Sequence, residues 1–185
     1  MRSLLHLAVR AHDGLLSRWR NLWYRALGVR LTGYVWMRRV SIPDNWRNVT
    51  IEGGAGIDDG VVLRAGAGQR GEKLIIRTGT YINRYTIITA GERVEIGRNC
   101  LIGPHCFIAD AIHGSAADQL IKDQPTQYKP IIIEDGVWLG AGCIVLAGVR
   151  LGAGCVIGAG SVVTQDIPAG TIAVSGSARV IKKRE

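Results

Sequence analysis

Aromatic residues are scarce in this chain: 6% of 185 residues, with a single phenylalanine. That length suits about one domain with a core of useful size, so the core has to be aliphatic. Prolines number only five, and the four cysteines, Cys100, Cys106, Cys143 and Cys155, form no CxxC pair and no Cys/His metal spacing. They read as buried, reduced packing residues, which implies a reducing compartment. No apolar run approaches the roughly 20 residues needed to span a bilayer. Interspersed arginines and the lack of a small-residue cleavage site argue against a signal peptide. A three-histidine zinc site cannot be assembled, because only His105 and His113 fall within the patterned part of the chain. The GxSxG elbow of a serine hydrolase is also missing.

Glycine, by contrast, is abundant at 25 residues, which suits repeated tight turns and close backbone packing. From Ile133 to Pro168 the chain divides into sixes: IEDGVW, LGAGCI, VLAGVR, LGAGCV, IGAGSV, VTQDIP. An aliphatic residue opens each block, and a small or apolar one follows four places later. A period of six belongs neither to a helix nor to a plain half-buried strand. It is the hexapeptide period of a parallel β-helix, in which each block is one short strand plus one turn.

Three blocks make one triangular coil, so the openers should stack in three columns. The first is Ile51, Ile76, Ile96, Ile133 and Leu151; the second is Ile57, Ile82, Ile102, Leu139 and Ile157; the third is Leu63, Ile88, Ile108, Val145 and Val163. All three columns share the same coil-to-coil spacing, although insertions near residues 67–73, at Ala90–Arg93 and over Asp110–Pro130 vary it from 18 to 37. The sequence therefore predicts a mainly β protein. Residues 51–168 form a parallel β-helix of about five coils with one long extended loop, 110–130. An N-terminal helical segment and cap (1–50) precede it, and a C-terminal strand and basic tail (169–185) follow. Residues 28–50 read as irregular, with Trp36 and Trp46 as caps over the end of the core.

The net charge of +8 is concentrated at the ends. Residues 1–39 hold eight arginines against one acid, Asp13, and the tail adds Arg179, Lys182, Lys183 and Arg184. Residues 1–27 read as an amphipathic helix, from Leu4, Leu7, Ala8, Ala11, Leu15, Trp19, Leu22, Trp23 and Ala26 at three- and four-residue spacing. Such a helix packs on its own domain or a neighbouring subunit, or lies on an anionic membrane surface. It carries no interleaved base-stacking platform, so no nucleic-acid partner is expected.

The repeats, with VWLGAGCIVLAGVRLGAGCVIGAGSVVTQDIPAG near the C-terminus and IADAIHG followed by DQP and KPIII, resemble the hexapeptide-repeat acyltransferases. The branch is that of sugar and polysaccharide O-acetyltransferases, and the likeness runs from about Ile51 to the C-terminus. The resemblance implies a left-handed β-helix, an exception to the right-handed crossover rule. It further implies a homotrimer with acetyl-CoA lying between neighbouring prisms. It makes His113 the catalytic base, Asn83 the residue facing the acceptor hydroxyl and Tyr81 an acceptor-side residue, with Asp110 placed beside the acceptor as well. Trp138 would wall the pantetheine channel, and the Gly140–Ala141 backbone would meet the thioester oxygen. Ala159, Thr164 and Gln165 would contact the cofactor. This chain departs from the family in lacking the histidine two residues before His113. Gln165 also stands where lysine is common, a phosphate contact that Arg179 or Lys182 would have to supply.

Acetyl transfer from a thioester to a hydroxyl needs a base, which a neutral imidazole supplies near pH 7. It also needs a donor for the oxyanion, which a backbone N–H can provide. Asp110 or a loop carbonyl would fix the His113 tautomer. The expected activity is acetyl transfer to a sugar hydroxyl in cell-surface polysaccharide or lipid-linked glycan synthesis, at the cytoplasmic face of a membrane. N-acetylation of an amino sugar and a non-catalytic scaffold prism are the other readings.

Overall fold

The computed structural model describes residues 2–67 and 71–184, with residues 2–10 given by backbone alone. The middle of the expected glycine-rich insertion, residues 68–70, lies outside the described residues. Three parallel sheets enclose one aliphatic core. Sheet A stacks Arg30–Leu31, Val49–Ile51, Leu74–Ile76, Val94–Ile96, Ile131–Ile133 and Arg150–Leu151. Sheet B stacks Trp36–Met37, Gly56–Ile57, Tyr81–Ile82, Leu101–Ile102, Trp138–Leu139, Val156–Ile157 and Thr171–Val174, and Arg179–Lys183 returns antiparallel at its end. Sheet C stacks Val62–Ala65, Ile87–Ala90, Phe107–Ala109, Ile144–Val145 and Val162–Val163.

The register pairs the three predicted columns residue for residue. All fifteen openers are at most 1% exposed. Each removes an aliphatic side chain from water, worth about 1.5–3 kcal/mol apiece. At the fourth place of a block the chain turns a corner with positive φ. Glycine fills most of these places, but Tyr85 (φ 57°), Asn99 (53°) and His105 (58°) also take the left-handed conformation. His105 is thus a corner residue on the surface, its ring stacked on Tyr85 at 5.3 Å. The four cysteines are free and buried. Burial pushes the Cys100 thiol up, and that of Cys155 up to about 11, so both stay protonated packing groups.

Segment 28–50 is more ordered than the sequence suggested. Arg30–Leu31 pairs with Thr50–Ile51, Trp36–Met37 pairs with Gly56–Ile57, and Ser41 bridges Val62, which makes a thin starting coil. Trp46 packs against the core and donates its Nε1–H to the Ile42 carbonyl at 2.7 Å. The basic tail is likewise a strand, Arg179–Lys183, paired with Thr171–Val174.

Helix α1 (Arg2–Leu27) lies across the starting coil. Its packing side is polar. The outer edge of the Trp36–Met37 strand presents backbone groups with no strand beyond them, and α1 supplies their partners. The Met37 N–H donates to Ser17 Oγ at 2.9 Å, and the Val35 N–H to Asn21 Oδ1 at 3.0 Å. Asn21 Nδ2 donates to the Val35 carbonyl at 2.7 Å, and the Tyr24 hydroxyl to the Val40 carbonyl at 2.8 Å. Ser17 and Asn21 are buried, whereas Leu15, Trp19, Leu22 and Trp23 are 50–67% exposed. An amphipathic helix normally buries its apolar stripe. This one is turned over, because what it covers is an open strand edge and not a hydrophobic core.

On the outer face of sheet A, Arg77 donates to Glu52 at 2.8 Å and to Glu95 at 2.6 Å. The Arg77 hydrogen bond holds the Glu52 carboxyl below its ordinary range. At Glu95 burial pushes the carboxyl up but is outweighed by Arg93 and Arg77, so it too is lowered. A carboxyl depressed in the folded state contributes stability above its unfolded pKa of about 4.3 and loses it as pH falls through the lower folded value. Acidification from pH 5 to pH 3 should therefore lower the urea midpoint more in the native chain than in Arg77→Met. Parallel pH slopes for the two proteins would refute this assignment.

Candidate active site

The outward residues of sheet B build an apolar groove. Tyr81, Leu101, Trp138 and Val156 each precede a core column residue, so they share one register on the outer face. Together with Asn83, Pro104, Gly140, Ala141 and Ala159 they line a cavity of about 530 Å³. Six of the residues singled out from the sequence therefore meet in one place: Tyr81, Asn83, Trp138, Gly140, Ala141 and Ala159. Leu101 and Val156 were not foreseen. Their signal was the place before a column opener, the same place that Tyr81 and Trp138 occupy. A second hollow, on sheet A, is lined by Arg77, Glu95, Arg98, Glu134 and Asp135, and contains none of the expected site residues. Two of its charges, Arg77 and Glu95, already pair with each other at 2.6 Å.

The corners of the prism differ in how their backbone N–H groups are met. At the corner after sheet A, carboxylates cap the third place: Glu52 accepts from the Thr78 N–H at 3.0 Å, Asp135 from Arg98 at 2.7 Å and Glu134 from Ala153 at 2.7 Å. At the corner after sheet B, Asp58 and Asn83 cap Asp59 and Arg84, each at 2.8 Å, and position 104 is proline. The N–H groups of Ala141 and Ala159 have no protein acceptor among the described residues. The Gly140 N–H donates to the Ile157 carbonyl at 2.8 Å. Of the expected Gly140–Ala141 pair, then, the free donor belongs to Ala141, at the rim of the groove.

Asn83 uses its Oδ1 on its own turn, which leaves Nδ2 as the group that can meet a ligand. Tyr81 donates its hydroxyl to Asp58 Oδ2 at 2.8 Å, and Arg84 Nε donates to the same oxygen at 3.2 Å. Burial pushes the Asp58 carboxyl up, but the Asp59 N–H, Tyr81 and Arg84 together hold it below its ordinary value. The phenol of Tyr81 is raised by burial and by that same carboxylate. Asp58 thus fixes both Tyr81 and Arg84 at the foot of the groove.

His113 stands elsewhere. The loop after the third coil is a short hairpin, Ala111–His113 against Thr126–Tyr128. Gln124 closes its tip, accepting from the Ala116 N–H at 2.9 Å and donating to the Ala116 and Gln119 carbonyls. The Tyr128 ring lies over Gly91, where a Cβ would come within 2.0 Å of it, so a larger residue there would displace the ring. His113 is exposed, with Nδ1 at 3.3 Å from Thr126 Oγ1. When Nδ1–H donates to that hydroxyl, the basic lone pair is on Nε2.

Asp110 departs from expectation. It is fully buried, and its carboxylate accepts from the backbone N–H groups of Gly91 (2.7 Å), Glu92 (2.8 Å) and Arg93 (2.8 Å). It anchors the root of the hairpin to the preceding coil and turns no oxygen toward an acceptor or toward His113. Thr126 has the tautomer-fixing position instead. Thr164 and Gln165 follow the last strand of sheet C, at the hairpin's corner, and both are exposed. Arg179 lies at the start of the strand that ends sheet B. The expected residues therefore fall into two groups on opposite sides of sheet C: the groove on sheet B, and the corner carrying His113, Thr164 and Gln165.

The chain is similar to several known proteins. The sequence model of the family described as "Hexapeptide repeat of succinyl-transferase" matches residues 130–165. A candidate lipopolysaccharide biosynthesis O-acetyl transferase of Escherichia coli K12, WbbJ, is 35% identical over 142 residues, 72% of each chain. Galactoside O-acetyltransferase of Lactococcus lactis is 38% identical over 115 residues, 62% of this chain and 54% of that protein. The solved structure of a hexapeptide-repeat acetyltransferase from Vibrio cholerae, complexed with acetyl coenzyme A, is 32% identical, with a TM-score of 0.55 over 66% of this chain and 61% of that one. The chain spans about half the length of several curated relatives that it matches. It belongs to the hexapeptide-repeat acyltransferase family, and its prism is the left-handed β-helix of that family.

Proposed function

We propose that the protein transfers an acetyl group from acetyl-CoA to a sugar hydroxyl. The observation that carries this reading is the free Ala141 N–H at the rim of an apolar groove walled by Trp138, with Asn83 on the same face. Pantetheine would lie along Trp138 with its thioester carbonyl toward Ala141 N–H. His113 Nε2 would take the proton of the acceptor hydroxyl as its oxygen bonds to the carbonyl carbon. The oxyanion that forms is met by Ala141. Its collapse breaks the C–S bond, and the leaving thiolate takes the proton from the imidazolium, giving free CoA and the sugar ester. Asn83 Nδ2 would orient the acceptor, and Ala159, Thr164, Gln165 and Arg179 would contact the cofactor. Free-thiol release from acetyl-CoA, assayed over a panel of sugars, tests the reading. The acetylated product should lose its acetyl group in mild base; an acetyl group that survives is an amide and identifies N-acetyl transfer.

The site as proposed is shared between subunits. Asn83 leaves sheet B before sheet C begins, whereas His113 leaves sheet C at its far edge, so a sheet width separates them within one chain. A cyclic trimer that sets the hairpin corner of one prism beside sheet B of the next would unite them. The outward residues of sheet C supply an apolar contact face, with Ile87 38% and Phe107 41% exposed. The reading also has α1 in peripheral contact with an anionic membrane at its cytoplasmic face, a role supported by the exposed Trp19 and Trp23.

A further inference from the structure

The position of α1 gives the prism a direction. Ser17 and Asn21 reach the outermost strand of sheet B through its ladder hydrogen bonds, and these run along the prism axis. The opposite face of α1 therefore points away from the prism, along that axis. At 3.6 residues per turn, Leu15, Trp19 and Ala26 stand about 160–200° round the helix from Ser17. Leu15, Trp19, Leu22 and Trp23 are all exposed there, with the two indoles stacked at 5.8 Å. No described helix is long and apolar enough to cross a membrane.

Charge decides what covers this face. Arg18 and Arg25 lie along one side of it; Arg18 stacks over the Tyr34 ring at 5.4 Å and Arg25 donates to the Gly33 carbonyl at 2.6 Å, but neither has a carboxylate partner among the described residues. The one acid of the helix, Asp13, is held by Arg38 at 3.0 Å, back toward the prism. An apolar face carrying indoles, bordered on one side by exposed guanidinium groups that no carboxylate neutralises, is complementary to an anionic lipid surface.

The groove is oriented by the same ladder. Sheet B runs from Trp36–Met37 through Gly56–Ile57 to Tyr81–Ile82, and only later to Trp138–Leu139 and Val156–Ile157. With strands about 4.8 Å apart, Tyr81 lies about 10 Å above the starting strand and Val156 about 24 Å above it. We infer that the prism stands on the membrane on its α1 base, and that the acceptor is a sugar carried on a membrane-anchored lipid, a deeper statement that rests on the acetyl-transfer reading above. The acceptor end of the groove, Tyr81 and Asn83, is then the membrane-proximal end. Acetyl-CoA enters from the far, solvent side, where Ala159 and the basic last strand lie. A hydroxyl within about 20 Å of the lipid surface, the starting-strand distance plus one helix diameter, is reachable from below. The acceptor is accordingly a short lipid-linked glycan and not a long soluble polymer.

Two measurements test this. In flotation, the full chain is mixed with vesicles of phosphatidylcholine alone, or of equal parts phosphatidylcholine and phosphatidylglycerol. It should float with the anionic vesicles only, and Trp19→Gln/Trp23→Gln should float at least about tenfold less. That double variant keeps the Ser17 and Asn21 contacts, and an unchanged circular dichroism spectrum checks its fold. In the second measurement a fluorophore is attached at Thr78→Cys, in the Tyr81 coil, or at Ser175→Cys, at the far end. Energy transfer to a headgroup-labelled lipid should be stronger from position 78. Equal or reversed transfer overturns the orientation. Failure to float overturns the membrane base, and a mass above one trimer that Trp19→Gln/Trp23→Gln disperses would show a second copy covering the face. Thiol release in solution reports on acetyl transfer independently of either result.

Discussion

A His113→Ala chain is expected to release thiol from acetyl-CoA about 10²- to 10⁴-fold more slowly than the native chain at saturating acceptor, the usual contribution of a positioned general base. The loss should fall on kcat with little change in the KM for acetyl-CoA, because the groove that would hold the cofactor contains no part of the hairpin. Asn83→Ala should cost about 10²-fold by removing one donor from the reacting centre. The two variants together carry the sharper test. When inactive His113→Ala and Asn83→Ala chains are co-expressed, a neighbouring pair in the order that joins an intact His113 to an intact Asn83 rebuilds a complete site. Random mixing in a cyclic trimer should then restore about a quarter of native activity. A site contained within one chain would restore none, and full activity of His113→Ala alone would dispose of the base assignment.

The fold was open to reading because one face of every strand in the five predicted coils is buried. An inward aliphatic every six residues is the direct imprint of a coil, so the three columns could be aligned through insertions and their register matched. The starting coil escaped notice because it offers a single repeat. Leu31 and Met37 stand six apart, but the third inward residue comes one place early, at Ile42 opposite Leu63, and the exposed Pro43 stands where the sixfold count expects an aliphatic. The stripe on α1 was visible, yet its direction was not. A pattern shows which residues share a face, and only the open edge of Trp36–Met37 explains why Ser17 and Asn21 turn inward. The groove half of the site was legible through the family resemblance, which singles out Tyr81 and Trp138; their shared place before a column opener is what sets them on one face. Asp110 was misread because its three partners lie on a turn of the preceding coil, and no local pattern connects a carboxylate to backbone N–H groups a full coil away.

That turn makes Asp110 a residue whose loss should cost heavily in stability. Asp110→Ala leaves the Gly91, Glu92 and Arg93 N–H groups without their carboxylate. Charge-assisted bonds of this kind are worth about 1.5–3 kcal/mol each when buried. Glu92 and Arg93 lie at the surface, so water replaces part of what is lost, and the expected total is about 3 kcal/mol. This is a large share of the roughly 5–15 kcal/mol that holds a domain folded. The urea and thermal midpoints should fall accordingly, measured at fixed protomer concentration because assembly contributes to both. Asp110→Asn should be intermediate, since it keeps one accepting oxygen but points an NH₂ at a donor. Activity of the remaining folded protein should fall through kcat, because the hairpin carrying His113 loses its anchor while the sheet B groove is untouched. Thr126→Val separates orientation from anchorage: it should slow turnover without moving the midpoint, since the side-chain hydrogen bond of Thr126 among the described residues goes to the exposed His113 ring. If Asp110→Ala instead kept its midpoint and raised only the KM for the sugar, Asp110 would be an acceptor contact after all, and the hairpin would owe its position to the Tyr128 ring seated on Gly91.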